Sequence, residues 1–62
     1  MSIKSAREAA GKTVREVAES MGVSRMAVYQ WEAGVNNPSA KKLPALAQFL
    51  NASIDELMRK ED

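Results

Sequence analysis

The sequence predicts an all-α fold, a compact bundle of five short helices within one domain that spans residues 1–62. Apolar residues recur at the three- and four-residue spacing of a helix, and no stretch keeps the two-residue alternation of a strand. Hydroxyl residues stand where helix N-caps are expected, and a glycine follows each of the first three helical patterns. A chain of 62 residues has room for one small core.

The first two helices are predicted from their apolar spacing and from the glycines that follow them. The inward face of the first helix carries Ile3, Ala6, Arg7 and Ala10. The inward face of the second helix carries Val14, Val17, Ala18 and Met21. Thr13 and Glu16 form a capping box that opens the second helix, since each side chain can accept a hydrogen bond from the other residue's backbone N–H. Gly11 and Gly22 end the two helices.

The segment VSRMAVYQWEAG, residues 23–34, predicts a third helix with two apolar stripes. Ser24 is a good N-cap and Gly34 a good stop signal. One stripe at helical spacing consists of Ala27, Val28 and Trp31. The opposite flank carries Met26, Tyr29, Gln30 and Ala33 at the same spacing. A surface helix of a small domain needs one buried stripe, so the spacing leaves open which stripe faces the core and what the other contacts.

Two shorter helices follow the turn-rich segment VNNPS. The fourth is defined by Leu43, Leu46, Ala47 and Leu50. Pro44 would break a helix that began at Ser39, so we expect the regular helix to begin near Lys41 or Lys42. Ser53 and Glu56 form a second capping box for the last helix, IDELMRK, residues 54–60.

The second and third helices have the spacing of a helix-turn-helix motif. Ala18 is small enough for the next helix to cross closely, and Gly22 permits the left-handed backbone of a tight turn. Val23 fills the corner, while Val28 and Trp31 pack the third helix on the second. In this motif the third helix is the one presented to the major groove of DNA.

Composition argues against an enzyme. Without cysteine or histidine, the chain offers no disulfide, thiolate or imidazole chemistry, and we expect no metal site. It also lacks a glycine-rich phosphate loop, so we expect no cofactor and no small-molecule ligand. The net charge is +1, but residues 1–42 carry seven basic against four acidic side chains, and residues 43–62 two against four. An anionic partner would bind the first two thirds, the alternative being an ordinary mixed surface.

Nothing in the sequence predicts contact with a membrane. The longest apolar run, LPALAQFL, is far shorter than a membrane span. The first residues, MSIKSAREAAGKT, carry charges where a signal peptide needs an apolar segment. We therefore expect a cytoplasmic protein, in the bacterial cytoplasm or nucleoid, or in the host cell if the gene is carried by a phage.

The chain resembles the Cro/repressor-type helix-turn-helix domains of phages and bacteria, the XRE family. The segment REAAGKTVREVAESMGVSRMAVYQWEAGVNNPS is similar to that family's first three helices, its Gly-Val-Ser turn and its proline-containing loop. The segment LPALAQFLNASIDEL is similar to its fourth helix and the start of its fifth. The resemblance implies a lambda-repressor-like bundle in which the Trp31 stripe faces inward.

The same resemblance implies that the outward residues of the third helix contact base edges: Arg25, Met26, Tyr29 and Gln30. Arg25 can form a bidentate pair with guanine, and Gln30 with adenine. Met26 suits the methyl group of thymine, and Tyr29 can stack on a sugar or reach a phosphate. The alternative for Met26 and Tyr29 is packing within the protein, against Met21 or the first helix.

Phosphate contacts are expected on both sides of the third helix. On one side, the N-terminus of the second helix offers Thr13 and Arg15. Val14 stands where family members often carry glutamine, which removes one polar contact. On the other side lie the loop and the start of the fourth helix, with Asn36, Asn37, Lys41 and Lys42. The alternative for this second group is a solvated turn.

Two further sets of residues are predicted to hold structure together. The resemblance implies an ion pair between Arg7 and Glu32, which positions the third helix and contacts no base. Candidate contacts with a second copy of the chain are Phe49, Ile54, Leu57 and Met58. The alternative is that these four close the core of a single chain, which is favoured for Leu57 and Ile54.

These observations predict a sequence-specific regulator of transcription that binds double-stranded DNA. A single small domain reads few base pairs, so we expect a homodimer, at least on DNA, and an operator that is an inverted repeat. A Cro-like complete protein is expected, although an excised domain would look the same. The alternatives are a helical protein-interaction module, and an antitoxin or restriction-controller subunit with the same fold.

Overall fold

A computed structural model describes residues 2–58 and confirms the predicted all-α bundle of five helices. The helices are α1 (Ile3–Ala9), α2 (Val14–Met21), α3 (Arg25–Ala33), α4 (Leu43–Phe49) and α5 (Ile54–Met58). Within this described part, no residue is in a strand. α2 packs against α3 and α4, α1 against α3 and α5, and α5 also against α4. Residues 59 and 60, predicted to continue the last helix, lie outside the described residues.

Three hydroxyl side chains cap the first three helices at their N-termini: Ser2, Thr13 and Ser24. Each accepts a hydrogen bond from the backbone N–H three residues later, at 3.2, 3.1 and 3.2 Å respectively. At α2 the Glu16 carboxylate also accepts from the backbone N–H of Thr13 at 2.9 Å, which confirms the capping box. The cap by Ser2 was not among the predicted ones.

Two glycines end the helices of the helix-turn-helix, as predicted. Gly22 and Gly34 have φ angles of 69° and 78°, in the left-handed region that side chains with a Cβ rarely adopt. After Gly22 the backbone N–H of Val23 donates to the carbonyl of Ala18 at 3.0 Å. This bond closes the end of α2 and sends the chain directly into the N-cap of α3.

The start of α4 agrees with the constraint that its proline imposes. The helix begins at Leu43, so Pro44 lies in the first turn, where no helical hydrogen bond is lost. Before α5, the backbone N–H of Glu56 donates to Ser53 Oγ at 3.1 Å. The predicted second capping box differs in its other half: the Glu56 carboxylate accepts from the Ser53 hydroxyl at 3.2 Å, and not from its backbone N–H.

One apolar core joins all five helices. Its buried residues are Ile3, Ala6, Val17, Ala18, Met21, Val28, Trp31, Leu46, Ala47, Leu50 and Leu57. Three apolar residues predicted to point inward, Ala10, Val14 and Ala27, are only partly buried at its edge. Val28 is 0% exposed and Trp31 8%, so the Trp31 stripe of α3 is the one that faces inward.

Candidate nucleic-acid interface

The outward face of α3 presents the predicted base-reading residues to solvent. Met26 is 64% exposed and Tyr29 55%, so neither packs into the protein in the way that the alternative required. Arg25 is exposed in the first turn, and within residues 2–58 its guanidinium has no hydrogen-bond or ion-pair partner. A helix that buries one side and exposes two large apolar residues and a free guanidinium on the other has the chemistry of a contact surface.

Gln30 lies at the border of this face and is half-buried. Its side-chain oxygen accepts a hydrogen bond from the Asn36 amide at 3.1 Å. Asn36, in the loop after α3, is itself exposed. Gln30, the last of the predicted base-reading residues, is therefore in direct contact with Asn36, the first residue of the second set predicted to contact phosphates.

Arg7 and Glu32 join α1 to the last turn of α3. Arg7 Nε lies 2.6 Å from Glu32 Oε2, and its Nη2 donates to Glu32 Oε1 at 3.3 Å, which makes the pair bidentate. Arg7 Nη1 also donates to the backbone carbonyl of Lys12 at 3.0 Å. The two side chains are 14% and 8% exposed, and the hydrogen bond to Glu32 raises the pKa of Arg7. The geometry ties α3 to α1 and to the α1–α2 loop at once.

The N-terminus of α2 holds Thr13 and Arg15, both exposed. The capping box already uses the backbone N–H groups of Thr13 and Glu16. Hydrogen bonds from Thr13 lower the pKa of Glu16, so a carboxylate charge stands at this helix end. Arg15 pairs with Glu19 at 3.4 Å on the open surface, an interaction weak enough to exchange for a phosphate.

The residues of the second set predicted to contact phosphates differ in exposure and in hydrogen bonding. Asn37 and Lys41 are exposed and, within the described part of the chain, have no hydrogen-bond or ion-pair partner. Lys42 is half-buried, and its Nζ donates to the backbone carbonyl of Met21 at 3.0 Å. It thereby binds the C-terminal end of α2, where the helix dipole favours a cation.

Replacing Lys42 with methionine should lower the free energy of unfolding by about 1 kcal/mol, because the Met21 carbonyl loses a charged donor while the apolar stem is kept. Urea denaturation followed by circular dichroism measures the change. Lys41→Met is the matched control, since Lys41 is exposed and should shift stability by less than about 0.5 kcal/mol. Equal effects of the two substitutions would show that the contact with Met21 adds nothing.

The four candidate dimer residues do not share one environment. Leu57 is 4% exposed and belongs to the core of the chain itself, the alternative that the sequence favoured for it. Phe49 is partly buried, with Lys12 Nζ 5.0 Å from the centre of its ring. Ile54 and Met58 are 40% and 43% exposed on α5, so the burial in the core that was favoured for Ile54 is wrong. Of the four, Ile54 and Met58 offer the most apolar surface to a partner.

Among the contacts that sequence reasoning missed are two made by residues predicted to bind DNA. The bond from Lys42 to Met21 joins residues 21 positions apart, and no local pattern connects them. The bond between Asn36 and Gln30 spans the end of a helix, where spacing rules no longer apply. The only sequence signal for this second contact was Gly34, because a left-handed residue at a helix end turns the residues that follow it back beside the last turn of the helix.

Neither a metal centre nor a membrane segment is found among the residues that the structure describes. No three of their acidic side chains come together in a group that could hold a metal ion. None of their helices combines the length and the apolar character needed to cross a membrane.

The packing of α2 on α3 and the exposed outer face of α3 define a helix-turn-helix domain. Comparison with known protein families gives the same result, because a helix-turn-helix family model matches residues 3–57. The chain belongs to this family, the XRE-type helix-turn-helix proteins.

Two curated relatives are regulators of transcription. Over 50 residues the chain is 36% identical to the HTH-type transcriptional activator BcrR of Enterococcus faecalis, covering 81% of this chain and 24% of the relative. Over 52 residues it is 38% identical to a putative HTH-type transcriptional regulatory protein of Methanocaldococcus jannaschii, covering 84% of this chain and 16% of the relative. The chain thus spans a quarter or less of the length of these relatives.

Proposed function

We propose that this chain binds double-stranded DNA as part of transcription regulation and reads an operator half-site with α3 in the major groove. The observation that carries the proposal is the orientation of α3. Trp31 is 8% exposed on its inner side, while Met26 is 64% and Tyr29 55% exposed on its outer side, beside Arg25, which has no partner within residues 2–58. The regulators that the chain resembles support the same role.

The residues around α3 are suited to hold a duplex in register. Arg15, at the N-terminus of α2, lies before the reading helix, and Asn37 and Lys41 lie after it. Contacts of this kind with phosphates supply affinity that depends on salt, and carry no sequence information. Base edges would then meet Arg25, with Met26 and Tyr29 supplying apolar and stacking contacts.

The proposal includes a homodimer on DNA. One domain of this size contacts only a few base pairs, which cannot single out a site in a genome. Two copies related by a two-fold axis would read an inverted repeat with half-sites about one helical turn apart. Ile54 and Met58 on α5 are the exposed apolar residues that a second copy would cover.

Selection from a randomised duplex library, followed by fluorescence anisotropy at several salt concentrations, tests this function. We expect enrichment of a two-fold symmetric site, two chains bound per site, and a loss of affinity of about 10³-fold between 50 and 200 mM salt. A matched control is Lys4→Ala, which removes an exposed charge from α1, outside the proposed interface, and should preserve the selected site. Weak binding without selection would instead favour a protein-interaction module.

A further inference from the structure

The end of α3 brings the loop back onto the base-reading face. Gly34 adopts a left-handed conformation, and the backbone N–H of Val35 donates to the carbonyl of Gln30 at 3.0 Å. The backbone N–H of Gly34 lies 3.3 Å from the carbonyl of Trp31, which completes a Schellman motif. The backbone N–H of Asn36 also reaches the Gln30 carbonyl, at 3.3 Å. Asn36 is therefore fixed beside Gln30 by the backbone before any side chain is considered.

The side chains continue this contact. Asn36 Nδ2 donates to Gln30 Oε1 at 3.1 Å, so the two amides form one unit. In water such an exposed bond adds little stability, but a duplex that covers it would exclude water and strengthen it. Gln30 then has its oxygen directed at Asn36, and its Nε2 carries the two N–H groups left to contact a base.

We propose that Asn36 is a specificity-determining positioning residue, which acts through Gln30 and makes its side chain a donor toward the base edge. The proposal rests on the function proposed above. Guanine presents two neighbouring acceptors, N7 and O6, in the major groove, and these match a side chain that offers N–H groups. Adenine presents one acceptor and one donor, and a bidentate pair with it would need the glutamine oxygen to turn toward that donor, away from the direction in which Asn36 holds it through one of its two lone pairs. The base that Gln30 prefers is guanine, and not the adenine expected from glutamine alone.

The test measures binding to duplexes that carry guanine, adenine, cytosine or thymine at the position read by Gln30, within the selected operator. That position is identified with Gln30→Ala, which should remove discrimination at one base pair of each half-site. The unchanged protein should bind guanine about tenfold more tightly than adenine there. Asn36→Ala should free the oxygen and shift the preference toward adenine, while the other positions keep theirs.

Two further variants make the result specific. Asn37→Ala is the matched control: Asn37 is the exposed neighbour without a partner in the described residues, and its loss should lower affinity for all four duplexes evenly and keep the ratios between them. Asn36→Asp replaces the amide with a carboxylate, which can only accept hydrogen bonds. The Gln30 amide should therefore flip, so that its Nε2 donates to the carboxylate and its Oε1 faces bases that present a donor. For this variant the ratio of the affinities for the four duplexes is compared, because the added negative charge lowers the affinity for every duplex. Circular dichroism confirms that each variant is folded.

Each outcome separates this inference from the function on which it rests. If the unchanged protein selects no sequence, the proposed function fails and the inference fails with it. If it selects a site but Asn36→Ala weakens all duplexes alike, Asn36 is a phosphate contact and the inference is wrong. A preference of the unchanged protein for cytosine at this position would also overturn it, since cytosine presents a donor. In the Gln30→Ala background, Asn36→Ala should have no further effect on base preference.

Discussion

Arg7→Met is expected to lower the free energy of unfolding by about 3 kcal/mol, because it leaves the Glu32 carboxylate, 8% exposed, without its bidentate partner. It also removes the hydrogen bond from Arg7 to the Lys12 carbonyl. Small domains have a total stability of only a few kcal/mol, so a large fraction of this variant should be unfolded at 37 °C. Urea denaturation followed by the fluorescence of Trp31 measures the loss.

The chain contains a matched control for this substitution. Arg15→Met breaks the exposed pair with Glu19, in which both side chains are about two thirds exposed, at 69% and 67%. Arg15→Met should lower the free energy of unfolding by less than about 0.5 kcal/mol. Because an apolar pair can replace a buried ion pair, Arg7→Met combined with Glu32→Leu should recover much of the loss. Equal effects of Arg7→Met and Arg15→Met would contradict the role of Arg7 in joining α1 to α3.

Arg25→Ala is expected to reduce discrimination at one base pair by about 1–3 kcal/mol, a factor of roughly 5 to 150, while the fold stays intact. Arg25 is exposed and has no partner within residues 2–58, so no internal contact is lost. A positive charge in the first turn of a helix is opposed by the helix dipole. The substitution should therefore be neutral or slightly stabilising, which is the behaviour of a residue kept for a partner.

Binding to the selected operator and to its single-base variants measures this effect, with Lys41→Ala as the control. Lys41 is exposed and follows the reading helix. Loss of a phosphate contact at this position should weaken binding to all duplexes alike and reduce the slope of log affinity against log salt concentration by about one. Lys42 is a poorer control because its ammonium binds the Met21 carbonyl and its loss also affects folding. Equal losses without base preference from Arg25→Ala and Lys41→Ala would refute this division of roles.

The described helices were predictable because their signals are local. An N-cap such as Thr13 acts on a backbone N–H three residues away, and a glycine such as Gly22 determines its own φ angle. The position of Pro44 restricted the start of α4 in the same way. None of these features depends on what the rest of the chain does, so sequence spacing was sufficient to locate them.

The site was only partly predictable. Spacing alone allowed either stripe of α3 to face inward, and the resemblance to a family decided for the stripe with Trp31, which is 8% exposed. The same resemblance suggested the contact between Arg7 and Glu32, 25 positions apart. The contact of Lys42 with Met21 had no such guide. Neither had the contact of Asn36 with Gln30.

The sequence by itself predicted the described helices, most of their caps and stops, and which side chains could bind DNA, because caps, turns and side-chain chemistry act over a few residues. Only the tertiary structure decided which of those side chains remain free. Lys42 and Gln30 each have a partner inside the protein, while Arg25 has none among the described residues. The physical reason is that these partners come from other helices or loops, and their positions exist only once the core has packed.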